Sequence, residues 1–141
     1  MSREELQLIR DMFDRWRAGG PATEALDEHI EWDASVFPDA GVEHGHEGVR
    51  RFLRRWLGTW EDYELSVERL IDAGDQVVAF TRERGRGKGS DVRVELEATM
   101  LFTVRDRKVV RFRAFLDRSA GLLAAGFTES EAQELADSGR T

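Results

Sequence analysis

Apolar residues recur along this chain at two spacings, first near 3.6 residues and later at 2. Ser2 and Glu5 have the S-x-x-E form of a capping box, and Leu6, Ile9, Phe13 and Trp16 follow at helical spacing. Gly19, Gly20 and Pro21 stop that helix, because glycine accepts a left-handed cap and proline cannot continue the turn. A second, short helix is expected after Thr23, burying Leu26 and Ile30, with residues 29–32 forming a short strand. A loop containing Pro38, Gly41 and Gly45 comes next. A third helix is predicted from about His46 to Leu57, with Val49, Phe52, Leu53, Trp56, Leu57 and Trp60 as its apolar stripe.

Beyond Tyr63 the spacing changes to 2. Leu65 and Val67 alternate, Ala73-Gly74-Asp75 turns the chain, and residues 76–84 return as a strand. Residues 85–91 (GRGKGSD) lack the full phosphate-loop pattern and precede no helix, so they read as a hairpin tip. The strongest signal spans residues 92–104. There Val92, Val94, Leu96, Ala98, Met100, Phe102 and Val104 take every second position, as in a strand with one buried face. A turn at 105–108, a strand at 109–116, a short helix at 119–125 closed by Gly126, and a helix capped by Thr128 and Glu131 complete the chain. The order predicts one α+β domain over residues 1–141, with helices packed on one face of a curved sheet and a cavity between them.

Composition narrows the function. Of 141 residues, 40% are hydrophobic, 35% are charged, and the net charge is −7, which opposes nucleic-acid binding. The absence of cysteine removes disulfides, thiolate metal sites and a cysteine nucleophile. No apolar run reaches the roughly 20 residues that span a bilayer, and the N-terminus lacks the apolar core of a secretory signal. A soluble cytoplasmic protein without membrane or nucleic-acid partners is the expectation. Arg50, Arg51, Arg54 and Arg55 form either an anion site or a solvated helix face. His44 and His46 frame Gly45, but a helix starting at His46 would turn the two rings apart, and no H-E-x-x-H spacing occurs, so no metal is expected. His46 and Glu47, in the first helical turn, are expected to be exposed.

Three stretches carry a family resemblance: HGHEGVRRFL, AGDQVVAFTRERGRGKGS and LFTVRDRKVVRFRAFLDRSAGLLAAG. In their order and spacing the chain resembles the NTF2-like superfamily, and within it the SnoaL-like proteins related to polyketide cyclases and ketosteroid isomerases. The resemblance covers approximately residues 3–127. It implies an NTF2-like cone of curved antiparallel sheet on three helices, a homodimer paired through the sheet's outer face, and no cofactor. It also implies a small apolar or carbonyl-containing ligand in the cone.

The resemblance implies site residues one by one. Asp33 roughly matches the carboxylate base of ketosteroid isomerases, but Met100 and Met12 fall where their oxyanion donors would be, which argues against steroid isomerisation. Glu95-Leu96-Glu97 does not supply the Arg-x-Asp of limonene epoxide hydrolases. Asp117 fits the acid/base aspartate of SnoaL-type cyclases, or else it caps the following helix or pairs with Arg118 or Arg113. If Phe112, Ala114 and Leu116 face the cavity, alternation turns Asp117 away. His44 could contact ligand or relay a proton. Trp32, Phe52, Trp56, Phe80, Arg82, Ala98, Met100, Phe112 and Leu116 are the expected pocket, with Arg82 either addressing a ligand oxygen or reaching solvent beside Glu83 or Glu97. The function expected first is binding of a small apolar molecule. The alternative is cofactor-independent isomerisation, cyclisation or dehydration of a small carbonyl compound through Asp117 or Asp33 with His44.

Overall fold

The computed structural model describes residues 2–19 and 23–138. The elements in chain order are α1 (Arg3–Arg17), β1 (Leu26–Asp33), β2 (Val42–His44), α2 (Gly45–Gly58), β3 (Trp60–Asp72) and β4 (Gln76–Gly87). They continue with β5 (Arg93–Arg105), β6 (Lys108–Phe115), α3 (Arg118–Ala124) and α4 (Glu129–Asp137). Six strands form one curved, unclosed sheet in the order β2-β1-β6-β5-β4-β3. Every pair is antiparallel except β1–β6, which is parallel and so qualifies the all-antiparallel expectation. No described helix is long and apolar enough to cross a membrane.

Both capping boxes form. Ser2 and Glu5 close the start of α1, and Thr128 and Glu131 close the start of α4. Gly19 lies past the end of α1 at φ +84, whereas Gly20 and Pro21 fall outside the described residues. The helix expected after Thr23 is instead the first half of β1. Leu26 and Ile30 are four apart, a spacing that suits a helix and a strand equally. The burial of Ile30, Trp32 and Ala34 at alternate positions shows the period is 2. Pairing with β2 on one side and β6 on the other decides the matter. The chain enters α2 through Gly45 at φ +72, where an added Cβ would stand 3.2 Å from the Glu28 carbonyl oxygen.

The sheet is buried on both faces rather than one. In β4, Val77 and Ala79 join the main core under α1 and α2, while Val78 and Phe80 join a second cluster with Leu101, Leu122, Ala132 and Ala136. Helices α3 and α4, both predicted from the sequence, therefore cover the outer face, and the described residues form four helices where the resemblance implied three. Gly121 marks their closest approach, because a Cβ there would lie 2.4 Å from Thr99 Cγ2 on β5. Gly121→Ala should therefore destabilise the protein. Overpacking costs about 1–3 kcal/mol and outweighs the roughly 1 kcal/mol that alanine gains over glycine in a helix. Thermal unfolding should show a melting point several degrees lower; an unchanged or raised one would mean that α3 shifts freely on the sheet.

Candidate functional site

The inner core is a run of touching rings. Trp16 from α1 packs edge-on against Trp32 of β1 at 5.6 Å, and Trp32 stacks on Phe112 of β6 at 3.9 Å. Phe52 and Trp56, one helical turn apart on α2, stack at 6.2 Å, and Phe37 from the β1–β2 loop reaches Trp56 at 5.1 Å. These rings enclose a cavity of about 60 Å³, closed further by Leu53, Leu57, Leu65 and Met100.

Two polar side chains enter this apolar wall, Tyr63 from β3 and Glu83 from β4. A register shift between Glu61 and Glu64, with Asp62 at φ +52, lets both Trp60 and Tyr63 turn inward although they are three residues apart. Glu83 is inward because it pairs with Leu96 across the β4–β5 ladder, and directly paired residues share a face. Its side chain is 6% exposed. The Tyr63 hydroxyl donates a short hydrogen bond to Glu83 Oε1, and Trp56 Nε1 stands 3.4 Å from the Tyr63 oxygen.

Glu83 Oε2 is buried without a partner, and so are the indole nitrogens of Trp16, Trp32 and Trp60. Among the described residues no Lys, Arg or His lines the cavity. Burial pushes the Glu83 carboxyl above the usual carboxylate range, and the bonds from Tyr63 and Trp56 only partly oppose this. Burial, the neighbouring carboxylate and their shared hydrogen bond hold the Tyr63 phenol protonated far above its ordinary range. The result is a carboxyl with a raised pKa in an apolar aromatic chamber, with unpartnered N–H donors on two of the chamber's rings.

A larger cleft of about 650 Å³ adjoins the chamber. Phe37, Phe52 and Trp56 belong to the walls of both. A void of about 20 Å³ beside Glu83 is lined by Trp56, Trp60, Tyr63, Arg84, Val94 and Leu96.

Of the pocket residues expected from sequence, Trp32, Phe52, Trp56, Met100 and Phe112 line the chamber, and Leu116 lines the outer cleft. Ala98 is buried in the same core without reaching the cavity wall. Phe80 and Arg82 lie on the opposite face of β4. Phe80 packs under α3 and α4, and Arg118 stacks over its ring at 4.3 Å. Arg82 ties together Glu68, Glu95 and Glu97, at 2.7 Å from Glu68 and 2.8 Å from Glu97. The expectation had the two side chains correctly on one face, but it was the outer one.

The expected catalytic residues Asp117, Asp33 and His44 line neither chamber nor cleft. Asp117 is exposed and caps α3, accepting a 3.1 Å bond from the Ser119 amide. Asp33 accepts bonds from the Ser35 amide and hydroxyl. Its partial burial would raise its pKa, but these bonds, with Arg113 and Arg111 nearby, bring it below the usual range, the wrong direction for a base working near neutrality. His44 is exposed at the end of β2. His46, expected to be exposed, is half-buried, and its Nε2 stands 2.8 Å from the Leu26 carbonyl oxygen. No group of three or more His, Asp or Glu side chains among the described residues could hold a metal. The α2 arginines form a solvated face, paired with Glu43 and Glu47 at 2.9 to 3.6 Å.

Sequence reading missed Glu83 and Tyr63. Tyr63 did carry a signal, since it is in phase with Leu65 and Val67. Glu83 carried none alone, because β4 is buried on both faces near Thr81 and its own alternation does not say which face is inside.

The profile of the SnoaL-like domain matches residues 9–112. No curated protein matches the chain. Among solved structures, an NTF2-like protein from Burkholderia thailandensis is 26% identical, with a TM-score of 0.74 over 88% of this chain and 98% of its own. An NTF2-like protein from Burkholderia pseudomallei is 18% identical, with a TM-score of 0.73 over 90% and 100%. TerC, crystallised with polyporic acid, is 19% identical, with a TM-score of 0.70 over 87% and 98%. These likenesses establish the fold.

The raised pKa of Glu83 predicts a pH signature. Its folded-state pKa lies above the ordinary value of 4.5. The contribution is therefore fully present below that value and is lost as pH rises through the folded-state pKa. Glu83→Gln keeps an acceptor for Tyr63 and removes the titration. The melting point of the variant relative to wild type should rise as pH increases above 4.5 and level off once the folded-state pKa is passed; a difference that does not change with pH would contradict a buried, uncompensated carboxyl.

Proposed function

Because the chain belongs to the SnoaL-like domain family, we propose that it binds a small, flat, apolar carbonyl compound in the aromatic chamber and moves a proton on it, with Glu83 as acid and base. The observation that carries this reading is the Glu83 carboxyl, buried among rings with one oxygen unpartnered and, among the described residues, no cation lining the chamber. Burying such a group costs several kcal/mol and gives the empty fold nothing in return. A bound molecule gives it a use.

The step needs no cofactor. The Glu83 carboxylate takes a proton from the carbon beside the carbonyl. The electron pair of that C–H bond forms the C=C of an enolate, and the carbonyl oxygen takes up the negative charge. The unpartnered indole N–H groups of Trp16 and Trp32 are the donors available to that oxygen. The carboxylic acid then returns its proton to carbon, at the same atom for exchange or at another for isomerisation. Tyr63 is a positioning residue: its hydrogen bond fixes the carboxyl and holds the pKa of Glu83 lower than burial alone would leave it. The acid/base role first expected at Asp117, Asp33 and His44 passes to a residue that reaches the chamber.

Cyclopentanone provides the test. The chamber holds about four to six non-hydrogen atoms, at roughly 10–15 Å³ for each water-sized unit, and cyclopentanone has six. Exchange of its α-hydrogens in D2O, followed by proton NMR, should be accelerated by the wild type and fall by about 100-fold or more in Glu83→Gln. Tyr63→Phe should move the rising limb of the pH–rate profile to higher pH, because it removes a bond that stabilises the carboxylate. Equal exchange with wild type and Glu83→Gln would refute the proton transfer. If cyclopentanone still bound, the chamber would remain a binding site without chemistry.

A further inference from the structure

The chamber cannot hold a whole ligand of ordinary size. Its volume of about 60 Å³ is well below the roughly 300–1,000 Å³ of typical small-molecule sites. The adjoining cleft, at about 650 Å³, lies within that range. Chamber and cleft are continuous in their walls. Phe37, Phe52 and Trp56 face both. Glu83 lines both the chamber and the small void, and the void shares Trp56, Trp60, Val94 and Leu96 with the cleft.

The lining of the cleft states what it would hold. Only Asp39, Arg55 and Thr59 among its residues are polar. Arg55 is already drawn toward Glu43 at 3.4 Å, on the outside of α2. Six large apolar side chains are exposed among the described residues. Leu57 lines the chamber, and Val94 (39% exposed) and Leu116 (51% exposed) line the cleft. Half of the exposed apolar bulk thus gathers around one opening, where a ligand would remove it from water.

We propose that the site is bipartite, taking a carbonyl head of four to six non-hydrogen atoms in the chamber, at Glu83, and an extended hydrocarbon tail along Val94, Leu96 and Leu116 in the cleft. This deepens the reading above and rests on it for the head. The substrate class is then a long-tailed apolar ketone or aldehyde, not a compact one. The Phe37–Trp56 pair, with rings 5.1 Å apart, forms the neck between head and tail and sets how wide the molecule can be there.

The 2-alkylcyclopentanones test this, with alkyl chains from none to seven carbons and affinity read by calorimetry. Wild-type affinity should rise about fourfold for each added methylene that enters the cleft. Leu116→Asp and Val94→Asp, both at exposed positions, should flatten that rise. Glu83→Gln should slow α-hydrogen exchange in every member about 100-fold or more and leave the affinity slope intact. A wild-type affinity that does not change with chain length, or a slope that survives both aspartate variants, overturns the tail site. A slope that the aspartate variants abolish, with α-hydrogen exchange that Glu83→Gln leaves unchanged in every member, leaves the tail site standing and refutes the head reading. If sedimentation shows a wild-type dimer that Leu116→Asp separates, the cleft is a contact between copies of the chain, and the proposal fails.

Discussion

The register between β4 and β5 is the constraint on which the rest depends. Ala79 pairs with Met100, Thr81 with Ala98, and Glu83 with Leu96. Because paired residues share a face, this ladder assigns every side chain of β4 to the inside or the outside of the sheet. Val77 and Ala79 go to the core beneath α1 and α2, and Val78 and Phe80 go to the one beneath α3 and α4. A slip of one residue would bring Arg82 and Arg84 into the aromatic chamber and put Glu83 among the charges outside. No hydrophobic arrangement of the inner helices would survive that exchange.

The same ladder separates two kinds of charge. Outside, Arg82 meets Glu68, Glu95 and Glu97, and Arg118 meets Glu68 at 2.8 Å, so each charge has a partner and a share of solvent. Inside, Glu83 has a phenol, a distant indole and, among the described residues, no cation lining the chamber. Exposed pairs of the first kind contribute at most about 1 kcal/mol each. The buried carboxyl instead detracts from stability wherever it is ionised. A leucine paired with Leu96 would fold better. The proposed proton transfer rests on the presence of an acid at this point, in a wall of rings.

The aromatic residues serve both ends of that connection. Phe13, Trp16, Trp32, Phe102 and Phe112 interlock edge-on, tilted or stacked and make the base of the cone rigid. Toward the mouth the same series continues through Phe52, Trp56 and Phe37 but packs less completely, leaving first the chamber and then the cleft. Phe37 comes from a loop rather than a strand or helix, so the neck between the two spaces is set by the least regular part of the wall.

The sequence by itself determined what local periodicity and capping chemistry can encode. Alternation from Val92 to Val104, the capping boxes at Ser2 and Thr128, the glycine at the head of α2 and the apolar stripe of that helix were all legible and predicted an α+β layout, while the NTF2-like arrangement was implied by the family resemblance of three stretches. Leu26 and Ile30 were ambiguous because a spacing of four fits both periods, and only pairing with β2 and β6 made them strand. Asp117 could be read either as a cavity acid or as a helix cap, and the start of α3 made it a cap. Glu83 was invisible for a different reason. A strand buried on both faces has no polar side to reveal its phase, so which of Arg82 and Glu83 points inward was settled only when β4 paired with β5 and two layers of helices closed over the sheet.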